Sequence, residues 1–195
     1  MRTASVSRKS SETEISVDLT IEGSGKYDIE IPVGFLTHML EAFSKHGQFD
    51  LKIRVTGDMQ VDQHHTIEDL AYVLGSAFKK ALGERRGIQR AGFFIYPMDD
   101  SLVQCAVDLS GRPYVIFDAK FAYQFCGQFD TSLTKHFFEA FARGCGANIA
   151  IRLLTGENDH HKLEAIFKAF AKSMRDACII DPRISIPSTK GGFDL

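Results

Sequence analysis

A chain of 195 residues, 25% charged and 44% hydrophobic, has an ordinary globular composition and is long enough for one domain or two small fused halves. A net charge of −2 and no basic run longer than "ERR" speak against nucleic acid as a partner. No apolar window approaches the roughly 18 to 20 residues of a membrane span, and the N-terminus "MRTASVSRKSSETE" lacks the apolar core of a secretory signal. No membrane partner is therefore expected, and cytoplasmic residence is the default.

Ile15, Val17, Leu19 and Ile21 alternate with polar positions, and "KYDIEI" does the same after the turn signal "GSGK", which predicts a hairpin. "FLTHMLEAFSKHG" then puts Phe35, Leu36, Met39, Leu40 and Phe43 on one helical face, with Gly47 as its stop. A strand "FDLKIRV" follows. From about 65 to 82, Ile67, Leu70, Ala71, Leu74, Phe78 and Leu82 recur at helical spacing, ending at Gly83. The second half runs through the same order: strands around "LVQCAVDL" and "YVIFDAKF", a helix "SLTKHFFEAFARG", a strand "NIAIRLL" and a long helix from His161 to about Ala177. "HMLEAF" at 38–43 matches "HFFEAF" at 136–141, so the chain is an internal repeat of about 1–90 and about 91–195. These patterns predict a single α+β domain made by duplication. Each half carries a small mixed β-sheet and two α-helices, the helices packed between the two sheets. Cys105, Cys126, Cys145 and Cys178 are scattered without a C-x-x-C pair and read as reduced packing thiols.

Of seven histidines, six belong to the repeat: His64-His65-x-x-Glu68 matches His160-His161-x-x-Glu164, and His38 and His136 stand upstream on matching helices. Positions three and four apart share a helix face, so each Glu reaches the same point as a preceding His. Adjacent side chains diverge by about 100°, so the two histidines of a pair serve different metal centres. Six imidazoles and two carboxylates divide into two sites of four ligands. Four protein ligands leave positions open on a six-coordinate metal, the mark of a catalytic site. Zn, Fe, Ni, Cu and Mn all suit these ligand types, and the absence of H-E-x-x-H disfavours a zinc metalloprotease.

The motifs "FLTHMLEAFSKHGQFDL", "GDMQVDQHHTIEDLAYVLGSA", "ALGERRGIQRAG", "PMDDSL", "DLSGRP", "HFFEAF", "GENDHHKLEAIFKAFAKSMRDA" and "IPSTKG" resemble those of the imidazoleglycerol-phosphate dehydratases over nearly the whole chain. The resemblance implies loss of water from D-erythro-imidazoleglycerol phosphate to give imidazole acetol phosphate. It also implies two Mn2+ per active site and a homo-oligomer of twenty-four subunits with active sites shared between subunits. It assigns His38, His64, His65, Glu68, His136, His160, His161 and Glu164 as metal ligands that also line the phosphorylated imidazole substrate. The substrate's C–H has no adjacent carbonyl to acidify it, whereas a metal on each imidazole nitrogen would make the ring able to expel the hydroxyl, so a doubled cluster matches a ring with two nitrogens. The acid-base position of the family falls on Glu12, with His46 and Asp99 as further catalytic candidates, and Glu12 and His46 are also placed against the substrate. Arg90, Arg112, Lys168, Ser188, Thr189 and Lys190 match substrate- and phosphate-binding positions, where Arg gives planar bidentate recognition and Lys a point charge. Ala150 stands where the family usually has His, and the tail "GGFDL" departs from the usual ending. Two other readings compete. A dimetal phosphoester hydrolase would use more bridging carboxylates, and a non-catalytic metal-binding shell protein would need neither Glu12 nor the phosphate-matching residues.

Overall fold

The computed structural model describes residues 1–188 together with Gly192 and Phe193. In the first half, β1 (Thr3–Lys9) and β2 (Thr13–Thr20) form an antiparallel hairpin. β4 (Asp50–Gly57) pairs antiparallel with β2, and β3 (Tyr27–Glu30) lies parallel to β4 on its other side. Helix α1 (Gly34–Gly47) is the crossover between β3 and β4, and α2 (His64–Leu82) follows β4. The second half repeats this plan with β5 (Ala91–Met98), β6 (Ser101–Asp108), β7 (Tyr114–Asp118), α3 (Leu133–Cys145), β10 (Asn148–Thr155) and α4 (Asp159–Cys178). The sheet orders β1-β2-β4-β3 and β5-β6-β10-β7 correspond strand for strand. A short hairpin of β8 (Phe125–Cys126) and β9 (Phe129–Asp130), inserted before α3, has no counterpart in the first half.

Helices α1 and α2 cover the first sheet and α3 and α4 the second, while α2 packs on α3 and α1 on α4. The helices are therefore sandwiched between the two sheets. Alternation makes this possible: Ile15, Val17 and Leu19 point inward from β2, as Val103, Cys105 and Val107 do from β6. Where the four helices meet, Phe43, Phe78, Phe141 and Phe170 form a cluster of rings with centroids 5.1 to 6.0 Å apart. A Cβ on Gly75 would strike the Phe141 carbonyl and one on Gly144 the Tyr72 carbonyl, so these glycines set the close approach of α2 to α3.

The predicted hairpin of "ISVDLTI" with "KYDIEI" does not form. Asp50 Oδ1 accepts the N–H groups of Ser24 (2.8 Å) and Lys26 (2.9 Å), folding the glycine-rich turn across to the far edge of β4, so β3 pairs there. The hairpin partner of β2 is β1, a strand not predicted, and β5 was likewise unforeseen. The outer sheet faces differ. Glu14, Ser16, Asp18, Lys52 and Arg54 stand on the first, whereas Phe93, Ala106, Ala150 and Ile116 form a cross-strand apolar row on the second. All four cysteines are free, and Cys105, Cys145 and Cys178 are buried, which pushes each thiol up to about 12. No helix among the described residues is long and apolar enough to cross a membrane.

Candidate metal centres

The β8–β9 hairpin ties the starts of two helices together. Phe129 packs on Phe35 of α1 with ring centroids 6.0 Å apart, and the Asp130 N–H bonds Gln63 Oε1 just before α2 at 3.3 Å. Asn158 caps α4 by accepting the N–H of His160 at 2.9 Å and of His161 at 3.4 Å. These contacts bring the histidine-bearing first turns to one end of the molecule.

Two clusters result, each drawing on both halves. In the first, His38 of α1 meets His160 and Glu164 of α4, one ligand atom from each lying within 4.8 Å of the others. His38 Nε2 is 4.0 Å from Glu164 Oε1, and His160 Nε2 is 3.5 Å from Glu164 Oε2. Burial pushes the Glu164 carboxyl up, but the Lys168 ammonium at 2.7 Å, with His38 and His160, outweighs it and holds the group below its ordinary value. The equivalent residues, His136 of α3 with His64 and Glu68 of α2, lie near one another more loosely. The His64 and His136 rings are 4.9 Å apart, His64 Nε2 is 3.3 Å from Glu68 Oε2, and His136 Nδ1 is 3.7 Å from Glu139 Oε2, so that among the described residues only the first set brings one ligand atom of each residue together. Arg143 pairs with Glu68 as Lys168 does with Glu164. Soft-borderline imidazoles and a carboxylate with their lone pairs converging are a donor set that a divalent transition metal fits.

His65 and His161 point elsewhere, as the divergence of adjacent helical side chains requires. His65 Nδ1 lies 3.0 Å from Asp58 Oδ2 and 3.9 Å from Glu12 Oε2. His161 Nδ1 lies 2.6 Å from Asp100 Oδ1, with Nε2 3.4 Å from Asp99 Oδ2. The hydrogen bond that His65 donates to the Asp58 carboxylate holds His65 above its ordinary value, while the N–H groups of Asn158 and Glu157, together with His161, hold Asp100 far below the usual carboxylate range. Of the eight predicted ligands, His38, His160 and Glu164 converge, Glu68 and His136 each lie near His64, and His65 and His161 stand apart beside the hairpin tips that carry Glu12 and Asp99.

His46, at the C-terminal turn of α1, packs edge-on against Tyr96, ring centroids 5.5 Å apart. Burial, then Lys168 and Lys172, lower its pKa. Lys168 Nζ also lies over the Tyr96 ring at 5.6 Å, so Tyr96 and Lys168 connect His46 to Glu164.

Of the phosphate candidates, Lys168 stands at the Glu164 cluster, and the other described ones lie elsewhere. Arg90 holds Asp108 with two bonds, 2.6 and 3.0 Å, and bonds the Pro187 carbonyl at 2.7 Å. Arg112 is exposed in the loop after β6, and the Ser188 N–H bonds the Ile186 carbonyl. The Arg90 N–H bonds Ala177 O near the end of α4, whereas His160 is at its start. At 1.5 Å per residue that is about 25 Å. Thr189 and Lys190 lie outside the described residues. Asp58 and Asp100 were not singled out from sequence, although they sit inside the motifs "GDMQVDQHH" and "PMDDSL"; for Asp58 the available signal was a carboxylate shortly before a histidine pair, whereas Asp100 is far from its histidine in sequence and carried no such signal.

A duplicated α+β sandwich that places matching His, His and Glu side chains of its two halves on paired helices, one set converging and the other looser, defines a class of proteins with twin sets of side chains able to ligate a metal. The family model for imidazoleglycerol-phosphate dehydratase matches residues 31–174. An imidazoleglycerol-phosphate dehydratase of Lachnoclostridium phytofermentans is 51% identical over 191 residues, covering 97% of each chain, and that of Methylorubrum extorquens is 50% identical over 99% of this chain and 100% of its own. The crystal structure of the Staphylococcus aureus enzyme superimposes with a TM-score of 0.83 at 32% identity, covering 92% of this chain and 99% of that one. The Pyrococcus furiosus structure, in complex with (S)-C348, gives 0.79 at 38% identity over 95% and 99%. The chain belongs to the imidazoleglycerol-phosphate dehydratase family.

Proposed function

We propose that this chain is a hydro-lyase of histidine biosynthesis that converts D-erythro-1-(imidazol-4-yl)glycerol 3-phosphate to 3-(imidazol-4-yl)-2-oxopropyl phosphate and water, using two manganese ions per active site. The observation that carries the reading is the doubled His/His/Glu set at matching positions of the repeat, converging at His38/His160/Glu164 and more loosely placed at His64/His136/Glu68, because the substrate ring has two nitrogens. When bound, manganese would supply Lewis acidity toward those nitrogens. Glu12 would take the proton from the carbon next to the one bearing the leaving hydroxyl, and would assist departure of that hydroxyl as water. Its carboxylate is half-exposed at a hairpin tip, 3.9 Å from His65 Nδ1. Arg90, Arg112, Lys168, Ser188, Thr189 and Lys190 would hold the phosphate, Arg through its planar fork and Lys as a point charge.

Three observations support active sites shared between copies, as in a shell of twenty-four subunits. Arg90 and His160 sit about 25 Å apart along α4, too far to grip one small substrate from the same chain. His65 and His161 face away from the clusters of their own chain. The outer face of the second sheet exposes Phe93, Ile95, Tyr114 and Ile116, an apolar surface suited to burial against another copy.

Turnover of imidazoleglycerol phosphate by chelator-stripped protein, before and after Mn2+ is returned, tests the reading. Activity should vanish with the metal and come back with it. Turnover that persists without metal would remove the manganese part, and none in loaded protein would remove the whole assignment.

A further inference from the structure

His65 and His161 each meet one carboxylate at Nδ1, Asp58 Oδ2 at 3.0 Å and Asp100 Oδ1 at 2.6 Å. The two carboxylates do not occupy equivalent places in the repeat. Asp58 directly follows β4, whereas Asp100 directly precedes β6, where the first half has Glu12 directly before β2. A contact kept passively since the duplication would use matching positions. The two halves instead reach the same atom of the same histidine from different elements, as expected of a contact that each half needs.

The Asp100 carboxylate is fixed independently of the imidazole, whereas Asp58 is held through its backbone and by burial, with Oδ1 left without a hydrogen-bond partner among the described residues. Asp58 is mostly buried, its side chain 14% exposed, and its own N–H is tied to the Glu12 carbonyl at 3.0 Å. Asp100 Oδ2 accepts the N–H groups of Glu157 and, at 2.9 Å, Asn158, which leaves Oδ1 for His161. A carboxylate that accepts the Nδ1 proton leaves the lone pair on Nε2, and a ring so tied is also fixed in orientation. At His161, Asp99 lies 3.4 Å from Nε2, but its side chain is 64% exposed, too free to orient the ring.

We infer that Asp58 and Asp100 are positioning residues that hold His65 and His161 as Nδ1-protonated imidazoles, so that Nε2 is the atom each offers to a metal ion. The inference rests on the manganese reading above. It also accounts for the sequence H-H-x-x-E: the first histidine joins a cluster with the glutamate, and the second is aimed outward by a carboxylate from the sheet.

Asp100→Asn is the informative change. Its amide oxygen stays on the Glu157 and Asn158 N–H donors, which turns the NH2 group toward Nδ1 and forces the histidine proton onto Nε2. Mn2+ binding to stripped protein, followed by the paramagnetic resonance of the free ion, should weaken by roughly 10- to 100-fold. The unfolding midpoint of the metal-free protein should stay at the wild-type value, whereas a merely structural carboxylate would lower the midpoint and spare the affinity. Asp58→Ala and the nearly isosteric Asp58→Leu both remove the acceptor, and whichever folds should lose affinity in the same way. Affinity within about twofold of wild type in Asp100→Asn overturns the inference, since the effect of losing an orienting partner is at least tenfold. Wild-type protein that takes up no Mn2+ would sink the manganese reading and this inference together, while wild-type uptake with unchanged variants sinks this inference alone.

Discussion

Glu12 and Asp100 stand at matching positions, each directly before the second strand of its half, yet their surroundings differ. Asp100 is engaged by His161 and two backbone N–H groups. Glu12 is spared that duty because Asp58 takes the Nδ1 of His65. Its backbone is nevertheless held, since Ser10 Oγ accepts the Glu12 and Thr13 N–H groups at 3.1 Å each. A fixed Cα with a carboxylate held only by a long contact to His65 is what a proton shuttle needs: the group must be in place and must be able to change partner. Glu12→Gln should therefore lower kcat by roughly 10² to 10⁴, the range for a lost general acid or base, with metal content and KM little changed. Near-normal kcat with reduced thermal stability would take Glu12 out of the mechanism.

Among the elements, the helices were the legible part of the sequence, because their apolar faces repeat at 3.6 residues and their histidines lie on those same helices. The strands were less legible for identifiable reasons. β1, "TASVSRK", buries only Ala4 fully, so no alternation of large apolar residues marks it. β5, "AGFFIYPM", hides its alternation because Phe93 and Ile95 face outward on the apolar sheet surface. The β3 pairing turned on Asp50, a polar contact that no periodicity encodes. The same limit hid Asp58 and Asp100, whose partners are set by how the sheet delivers its loop to the helix. The packing of α2 on α3 was also out of reach, since it depends on two glycines that look like ordinary helix defects. Gly144→Ala would press a methyl group into the Tyr72 carbonyl and prise His136 from His64. The expected result is a loss of about 1 to 3 kcal/mol in denaturant unfolding, the usual cost of overpacking, together with weaker Mn2+ uptake. Unchanged stability would show that the helices can separate without strain.

Taken as a whole, one copy of the chain holds two half-built sites. His38, His160 and Glu164 converge, His64, His136 and Glu68 lie more loosely together, and in each half the second histidine of the pair, which would bring a set to four, is turned outward. A divalent ion bound by a cluster of one copy and an outward histidine of another would join the two, so metal binding and assembly should be linked by mass action. Stripping the metal should therefore shift the protein toward smaller species on a sizing column, and returning Mn2+ should restore the larger one. The shift should stop short of the monomer, because the row of Phe93, Ala106, Ala150 and Ile116 gives a second, metal-independent reason to associate. Placing a charge there with Ile116→Lys would then carry the metal-free protein further down, while Mn2+ would still be bound by the clusters at the far side of the helices. Elution of fully metal-free protein at the wild-type position would count against metals as the clamp and would leave the apolar sheet face as the force that holds the copies together.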